Sequence, residues 1–239
     1  MIRWEGAGSY TVVFSTRDGG VSEGPYESLN LGVLTGDDSA RVVENRRLLA
    51  QRTGIDPDRT RMAWQQHGAE VRKASPEGVL TPGTQHQACD GWWSDEPGQG
   101  MMLVTADCLP VAIARMNGDR PALAVLHVGW RGLLDGIIAN GVEALGGGEL
   151  AAAVGPGIGP CCYDVRPDVA QPFAAAFGEN VVAGGRLDLW RATELALEHA
   201  GVGEIERTDL CTSCHPELFF SHRRDRGVTG RQGVIAAVT

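Results

Sequence analysis

The chain has a single lysine, Lys73, among 21 basic residues, while acidic residues number 30 and the formal net charge is −9. A balance of that sign argues against a general nucleic-acid or anionic-membrane surface, though it leaves room for a local basic pocket. Codon bias accounts for most of the arginine excess. Any anion site would still be built from arginine forks, which match phosphate and carboxylate geometry. No uncharged apolar run approaches the ~18 residues that a membrane span needs. The opening Met1-Ile2-Arg3-Trp4-Glu5 lacks the apolar stretch of a signal peptide. A cytoplasmic protein with no nucleic-acid or membrane partner is therefore expected. In that compartment the six cysteines, at 89, 108, 161, 162, 211 and 214, read as thiols or ligands rather than disulfides.

Linkers, internal repeats and heptads are also missing. The 33 glycines and 12 prolines are spread between apolar runs and read as turns. One domain over residues 1–239 is the better reading. Strands are expected at 10–15, 62–66, from 101 through 115 with Pro110 as a break or bulge, and at 122–126, 150–154, 204–209 and 234–238. A short extended piece is expected at 28–32, and 76–87 reads as turn-rich. Helices are expected from an N-cap at Ser39 to about Arg52, and over 133–145, 167–177 and 187–199. Asn117-Gly118-Asp119 marks a hairpin, so at least one strand pair is antiparallel. That excludes a clean doubly wound parallel sheet and points to an α+β class.

Three residues could bind one metal: His67, Cys108 and His127. Each lies at or near the end of an apolar, strand-like run, beside turn or break residues. Two imidazoles and one thiolate suit Zn²⁺, and three protein ligands leave a fourth position open, the catalytic pattern. Asp107 reaches the same pocket only at a bulge or strand terminus, because adjacent strand residues face opposite sides. There it would be a general base or a partner of a ligand. The run His127-Val128-Gly129-Trp130-Arg131-Gly132 enters a helix whose amides, with Arg131, could face an anion. Its simpler reading is a turn that needs glycine. Gly155-Pro156-Gly157-Ile158-Gly159-Pro160-Cys161-Cys162 has the look of a phosphate-cradling loop but lacks the P-loop lysine. Cys89-Asp90-Gly91 reads as a turn.

Cys211-Thr212-Ser213-Cys214-His215 formally matches a haem attachment site, which the expected compartment disfavours. A second zinc site there would need two more ligands, and no second C-x-x-C supplies them. Phe219 to Asp225 sets an apolar strand end against a polar cluster that could hold a polyanion or sugar, or be a salt-bridge patch.

Taken together, Ser15 to Ser22, Gln66-His67-Gly68, Thr105 to Pro110, His127 to Gly132, Gly155 to Tyr163, Phe219 to Asp225 and Thr229-Gly230-Arg231-Gln232 resemble the YfiH-type family. Its members were long labelled multicopper polyphenol oxidases of the laccase-domain type, and are now described as zinc-dependent purine nucleoside phosphorylases with adenosine deaminase activity. The resemblance implies a single α+β domain, layered α/β/β/α with mixed sheets and similar to the catalytic domain of cytotoxic necrotizing factor. It puts the family's metal ligands at His67, Cys108 and His127, for one Zn²⁺ per chain and no haem. The implied substrates are adenosine, inosine or methylthioadenosine, with phosphate. Cys108, His127 and Asp107 would be catalytic, with Asp107 moving a proton. Arg17, Arg131, His222 and Arg223 would bind phosphate or sugar. His222 stands where the family commonly has tyrosine, and Val128 where it has alanine.

Two rivals remain open. A copper phenol oxidase would need many histidines, and the chain has six, with His86 and His199 in poor contexts. A Cys108–His127 hydrolase fits the residue types, but zinc ligation would consume its thiolate.

Overall fold

Strict alternation along the strands sets two sheets face to face. The computed structural model describes residues 1–75, 87–117 and 120–239. The expected turn-rich stretch 76–87, apart from Gln87, lies outside them, with His86, and so does the Gly118–Asp119 step of the expected hairpin turn. One sheet holds five strands in the order β1 (Ile2–Arg3), β2 (Tyr10–Phe14), β13 (Gln232–Val238), β6 (Gly100–Thr105) and β3 (Thr60–Met62). The other holds six: β12 (Glu204–Arg207), β9 (Leu150–Val154), β7 (Leu109–Arg115), β8 (Leu123–Val128), β5 (Gly91–Ser94) and β4 (Val71–Lys73). A small hairpin, β10 (Val182–Ala183) with β11 (Arg186–Leu187), stands apart. Both large sheets are mixed: β3 pairs β6, β12 pairs β9 and β4 pairs β5 in parallel, and their other pairings are antiparallel.

Side chains of the two faces sort by the period of two. Val12 and Phe14 of β2, Met101 and Leu103 of β6, and Val234 and Ala236 of β13 pack with Trp92, Ala112, Ala114, Leu123, Val125, Ala151 and Ala153 of the facing sheet. Large residues on one side meet alanines on the other, which lets the layers interdigitate. The intervening positions Val13, Met102 and Ile235 face away, onto Leu49 and Ala50 of α1 (Ser39–Thr53). Leu109, Val111, Ile113, Leu126 and Val154 face the opposite way, onto a helical layer. That layer comprises α2 (Trp130–Leu134), α3 (Ile137–Leu145), α4 (Pro167–Phe177) and α5 (Leu189–His199). The order is α/β/β/α, an α+β fold with mixed sheets. No helix of the described residues is long and apolar enough to cross a membrane.

Five expectations are corrected. The run 101–115 is two strands in different sheets, not one. The chain leaves the first sheet after Thr105 and enters the second at Leu109, so the break is at Ala106–Cys108 and Pro110 lies within β7. The strand expected at 62–66 ends at Met62, with only an isolated bridge from Trp64 to Ala88 beyond it. Residues 28–32 form no strand; Asn30 instead ties its own loop together through Gly32, Thr35 and Asp37. The helix expected at 133–145 begins earlier and is split at Gly136, whose φ of 90° interrupts it. The cap of α1 is also shifted by one: Asp38, not Ser39, accepts the amide of Ala40.

Phe14 is fully enclosed between the sheets and packs where the Cβ of any residue other than glycine at 155 would stand. Phe14→Ala is expected to lower the unfolding free energy by ~3–5 kcal/mol, read as a lower urea midpoint with an unchanged slope.

Candidate metal centre

The crossing from one sheet to the other builds the site. Asp107 adopts φ of 90° within it, a left-handed conformation unusual for a side-chain-bearing residue. This sharp turn delivers Cys108 to the start of β7, where Pro110 pairs with His127 of β8. His67 arrives on the loop after β3, itself left-handed at φ of 61°. The ligand atoms of His67, Cys108 and His127 all lie within 4.8 Å of one another, so the three can hold one metal ion. The two imidazole rings are 4.8 Å apart between centroids.

The residue that fixes this geometry is Asp90. It is 1% exposed. Its carboxylate accepts the amides of Gln66 at 3.0 Å, His67 at 2.9 Å and Gly68 at 2.8 Å. The same carboxylate lies 2.8 Å from Nδ1 of His127, and the Asp90 carbonyl accepts the His127 amide at 2.7 Å. One side chain thus shapes the His67 loop and sets the His127 tautomer, with Nδ1–H on the carboxylate and Nε2 free for a metal. Burial opposes its ionisation, but His127 and the amides of Gly68 and Gln66 outweigh that and hold the carboxyl below its ordinary range. Sequence reading took Asp90 for a turn residue; a carboxylate immediately before the strand Gly91–Ser94 was the only signal.

Burial alone would raise the Cys108 thiol, yet the neighbouring His127 and His67 pull it down to about 6. Burial would lower His127, yet Cys108 and Asp90 push it up to about 9. The two shifts run in the direction that favours a thiolate beside an imidazolium when no metal is held there. Glycine is needed around it for contact rather than for anion binding. A Cβ at Gly129 would stand 3.1 Å from the Cys108 sulfur, and one at Gly132 would stand 2.5 Å from the Gly68 carbonyl oxygen.

A cavity of about 460 Å³ opens over the three ligands. His67 is exposed, Cys108 half-buried and His127 buried, so the triad is reached from that side. Met62, Trp64, Val104 and Ile158 give the cavity apolar wall, and Arg46, Arg131, Arg223 and Arg231 bring charge to it. Of the expected substrate residues, Arg131, His222 and Arg223 line it. The Arg223 guanidinium lies over the Tyr163 ring and donates to the Asp164 carbonyl. Arg17 is not among the lining residues: it donates to the carbonyls of Glu27 and Pro216 and stacks on Phe220. Arg46 and Trp64 were not singled out from sequence, and Arg231 and Tyr163 appeared there only within the motifs of the resemblance, with no role. Arg46 sits on the buried side of α1, where burial lowers its guanidinium to about 10.

Asp107 lines the cavity, with its carboxylate engaged by two donors. Thr212 donates its hydroxyl at 2.7 Å and Arg223 its amide at 2.7 Å. The Gly155–Cys162 loop is no phosphate cradle. The amides of Gly155, Ile158 and Gly159 are directed inward to Pro110, Asp107 and Cys211. In the expected 219–225 cluster, Arg224 and Asp225 form a salt bridge, and only His222 and Arg223 turn to the cavity.

A half-open His–Cys–His centre at the seam of an α/β/β/α sandwich is the class of site that this fold defines. The chain belongs to the multi-copper polyphenol oxidoreductase laccase family, whose model matches residues 11–239. It is 38% identical over 237 residues to purine nucleoside phosphorylase YlmD of Geobacillus stearothermophilus, covering 91% of this chain and 86% of that protein. It is 36% identical over 229 residues to purine nucleoside phosphorylase YfiH of Escherichia coli, covering 91% and 89%. Crystal structures agree in fold. The Geobacillus YlmD structure superposes with a TM-score of 0.90 at 33% identity, covering 98% of this chain and 94% of that one. A Bacillus licheniformis YfiH structure gives 0.93 at 32%, covering 100% and 96%.

Two outcomes follow for this centre. Asp90→Asn removes the charge behind His127 and is expected to weaken metal affinity ~10–100-fold in a chelator competition. The pH dependence has a definite sign. The raised His127 value means a metal must displace its proton below about 9. Affinity is therefore expected to fall about tenfold per pH unit going down from there. The fall steepens below about 6, where Cys108 also takes a proton. Metal-binding titrations from pH 5 to 10 measure it.

Proposed function

We propose that this chain is a zinc-dependent purine nucleoside phosphorylase that takes adenosine, inosine or methylthioadenosine with phosphate, and that it also deaminates adenosine. The carrying observation is the coincidence of a His67–Cys108–His127 triad with an apolar cavity bearing arginines. The names of the relatives support the same reading. The donor set of two imidazoles and one thiolate fits zinc with an open position. When bound, that zinc supplies a Lewis acid for the purine and an activated water for attack at C6.

The remaining chemistry falls to the chain's own residues, acting as one domain over 1–239. Arg131 and Arg223 hold phosphate, with Arg46 and Arg231 adding positive field. The purine lies against the apolar wall of Met62, Val104 and Ile158, and His222 meets the sugar. A phosphate oxygen attacks C1′, the C1′–N9 bond breaks, and its electron pair leaves on the purine, which takes a proton. The products are the free base and ribose-1-phosphate. Positioning of two reactants and a positive field for the anion are the principal sources of rate. Asp107, fixed by Thr212 and by the Arg223 amide, is the proton carrier and couples phosphate binding to the metal ligand that follows it in sequence.

A thiolate–imidazolium pair is also the resting state of a cysteine hydrolase, so metal content separates the two readings. The test is product analysis of metal-quantified enzyme with adenosine, with and without phosphate. Phosphate-dependent adenine and ribose-1-phosphate are expected, with loss in Cys108→Ala. Zinc-loaded enzyme that turns over no purine nucleoside sinks the proposal. Arg223→Gln is expected to raise the KM for phosphate at least about tenfold, the weight of one charge-assisted contact.

A further inference from the structure

A second cluster of metal-binding side chains lies outside the triad. Cys161 and Cys162 close the glycine-rich loop, and Cys211 and Cys214 belong to the C-x-x-C turn some fifty residues on. The sequence supplied no second C-x-x-C, but the fold supplies the missing pair from adjacent cysteines. All four sulfurs lie within 4.8 Å of one another. We propose that they form a tetrathiolate site for a single Zn²⁺ ion, separate from the His67–Cys108–His127 centre and structural in role.

Three observations carry this. First, the distances suit one ion. A tetrahedral Zn–S₄ group with bonds of ~2.3 Å has sulfurs about 3.8 Å apart. The Cys214 sulfur is 3.5 Å from that of Cys161 and 3.5 Å from that of Cys162. A disulfide would select one of those partners, whereas Cys214 stands equally close to both. Second, the backbone holds the sulfurs in place independently of any ion. The Cys162 amide donates to the Gly159 carbonyl, and the Cys214 and His215 amides donate to the Cys211 carbonyl, so each cysteine pair sits in a tight turn. The two turns are braced by a bridge between Gly157 and Cys211, in which the Thr212 amide donates to the Gly157 carbonyl. Third, the Gly159 amide donates to the Cys211 sulfur at 3.2 Å, the contact that stabilises a thiolate ligand. Four closed ligands leave no open position, which is the structural rather than the catalytic pattern.

The position gives such an ion a purpose. Tyr163 follows Cys162 directly and lines the cavity. Thr212, between the two cysteines of the turn, donates its hydroxyl to Asp107, and its carbonyl accepts Arg224. A tetrathiolate ion would therefore clamp the loop that carries Tyr163 to the loop whose Thr212 holds Asp107 and accepts Arg224, the neighbour of Arg223. It needs no nucleoside chemistry, so it stands or falls separately from the proposed activity.

The test is elemental analysis of the reduced full-length protein with two double variants. The wild type is expected to carry about two zinc ions per chain, and Cys211→Ser/Cys214→Ser and His67→Ala/Cys108→Ala about one each. Cobalt replacement should give sulfur-to-metal charge-transfer bands of four-thiolate intensity that persist in the His67→Ala/Cys108→Ala protein. Should the cysteine variant not fold, the wild type still decides. The exposed Cys161 and Cys214 should resist a thiol reagent until a strong chelator is added. Immediate reaction of those thiols in metal-loaded protein overturns the proposal. So does about one zinc per chain that survives Cys211→Ser/Cys214→Ser, iron in place of zinc, or a disulfide within the cluster after purification under reductant.

Discussion

The Asp90 carboxylate is the constraint on which the rest of the centre depends. A buried charge is tolerable only when it is fully hydrogen-bonded. Asp90 satisfies that need by collecting three consecutive amides and one imidazole. Those four donors belong to two different segments, the His67 loop and β8. Meeting the needs of one carboxylate therefore positions two of the three side chains of the candidate metal group at once. The left-handed backbone at His67 follows from the same demand, because three successive amides can converge on one acceptor only if the chain curls around it. Removing the carboxylate would strand all four donors together.

A second coupling runs through Asp107. The chain has to pass from one sheet to the other between Thr105 and Leu109, and it does so in three residues. This short crossing places Cys108 between the layers and leaves Asp107 facing the loops of the far side. Its carboxylate then meets Thr212 and the Arg223 amide, while its carbonyl accepts the Ile158 amide. The metal ligand, the arginine-bearing loop and the glycine-rich loop are thus neighbours of a single residue. Movement in either loop reaches Cys108 through one peptide unit.

How much of this the sequence disclosed depended on whether the signal was local. The short apolar and β-branched runs of β2, β13 and β9 are local, and so is the helix of residues 167–177, and these were legible. That His67, Cys108 and His127 could share one metal was legible by residue type and by their placement at strand ends, and the fold does bring their side chains into one group able to hold an ion. Asp90 was not legible, because its value comes from partners more than twenty residues away and nothing in Cys89-Asp90-Gly91 distinguishes it from a turn. Arg17 entered only with the family resemblance, and its guanidinium donates to the carbonyls of Glu27 and Pro216, contacts that no local pattern announces. The glycine-rich loop was misleading. Its glycines make room for Phe14, Leu109 and Trp190, a reason invisible without the packing. The four-cysteine cluster required knowing that Gly157 pairs with Cys211, a contact that no spacing rule contains.

The family's description speaks of several coppers, and the residues of this chain bear on that directly. A multicopper site needs clusters of histidine beyond the first centre. Among the described residues, the only groupings able to hold a metal are the triad and the four cysteines. Of the remaining described histidines, His215 is turned to Glu217, His222 stands at the cavity without a second imidazole in any ligand group, and His199 closes α5. One thiolate with two imidazoles is compatible with a single copper as well as with zinc, so it is the absence of a second histidine cluster in the described residues that weighs against phenol oxidation. The apolar wall and the arginines are then left without a purpose in electron transfer, whereas a substrate with one flat apolar end and one anionic partner would use both. That asymmetry of the cavity, more than the metal, is what favours the proposed nucleoside phosphorolysis over the oxidase that the family's description suggests.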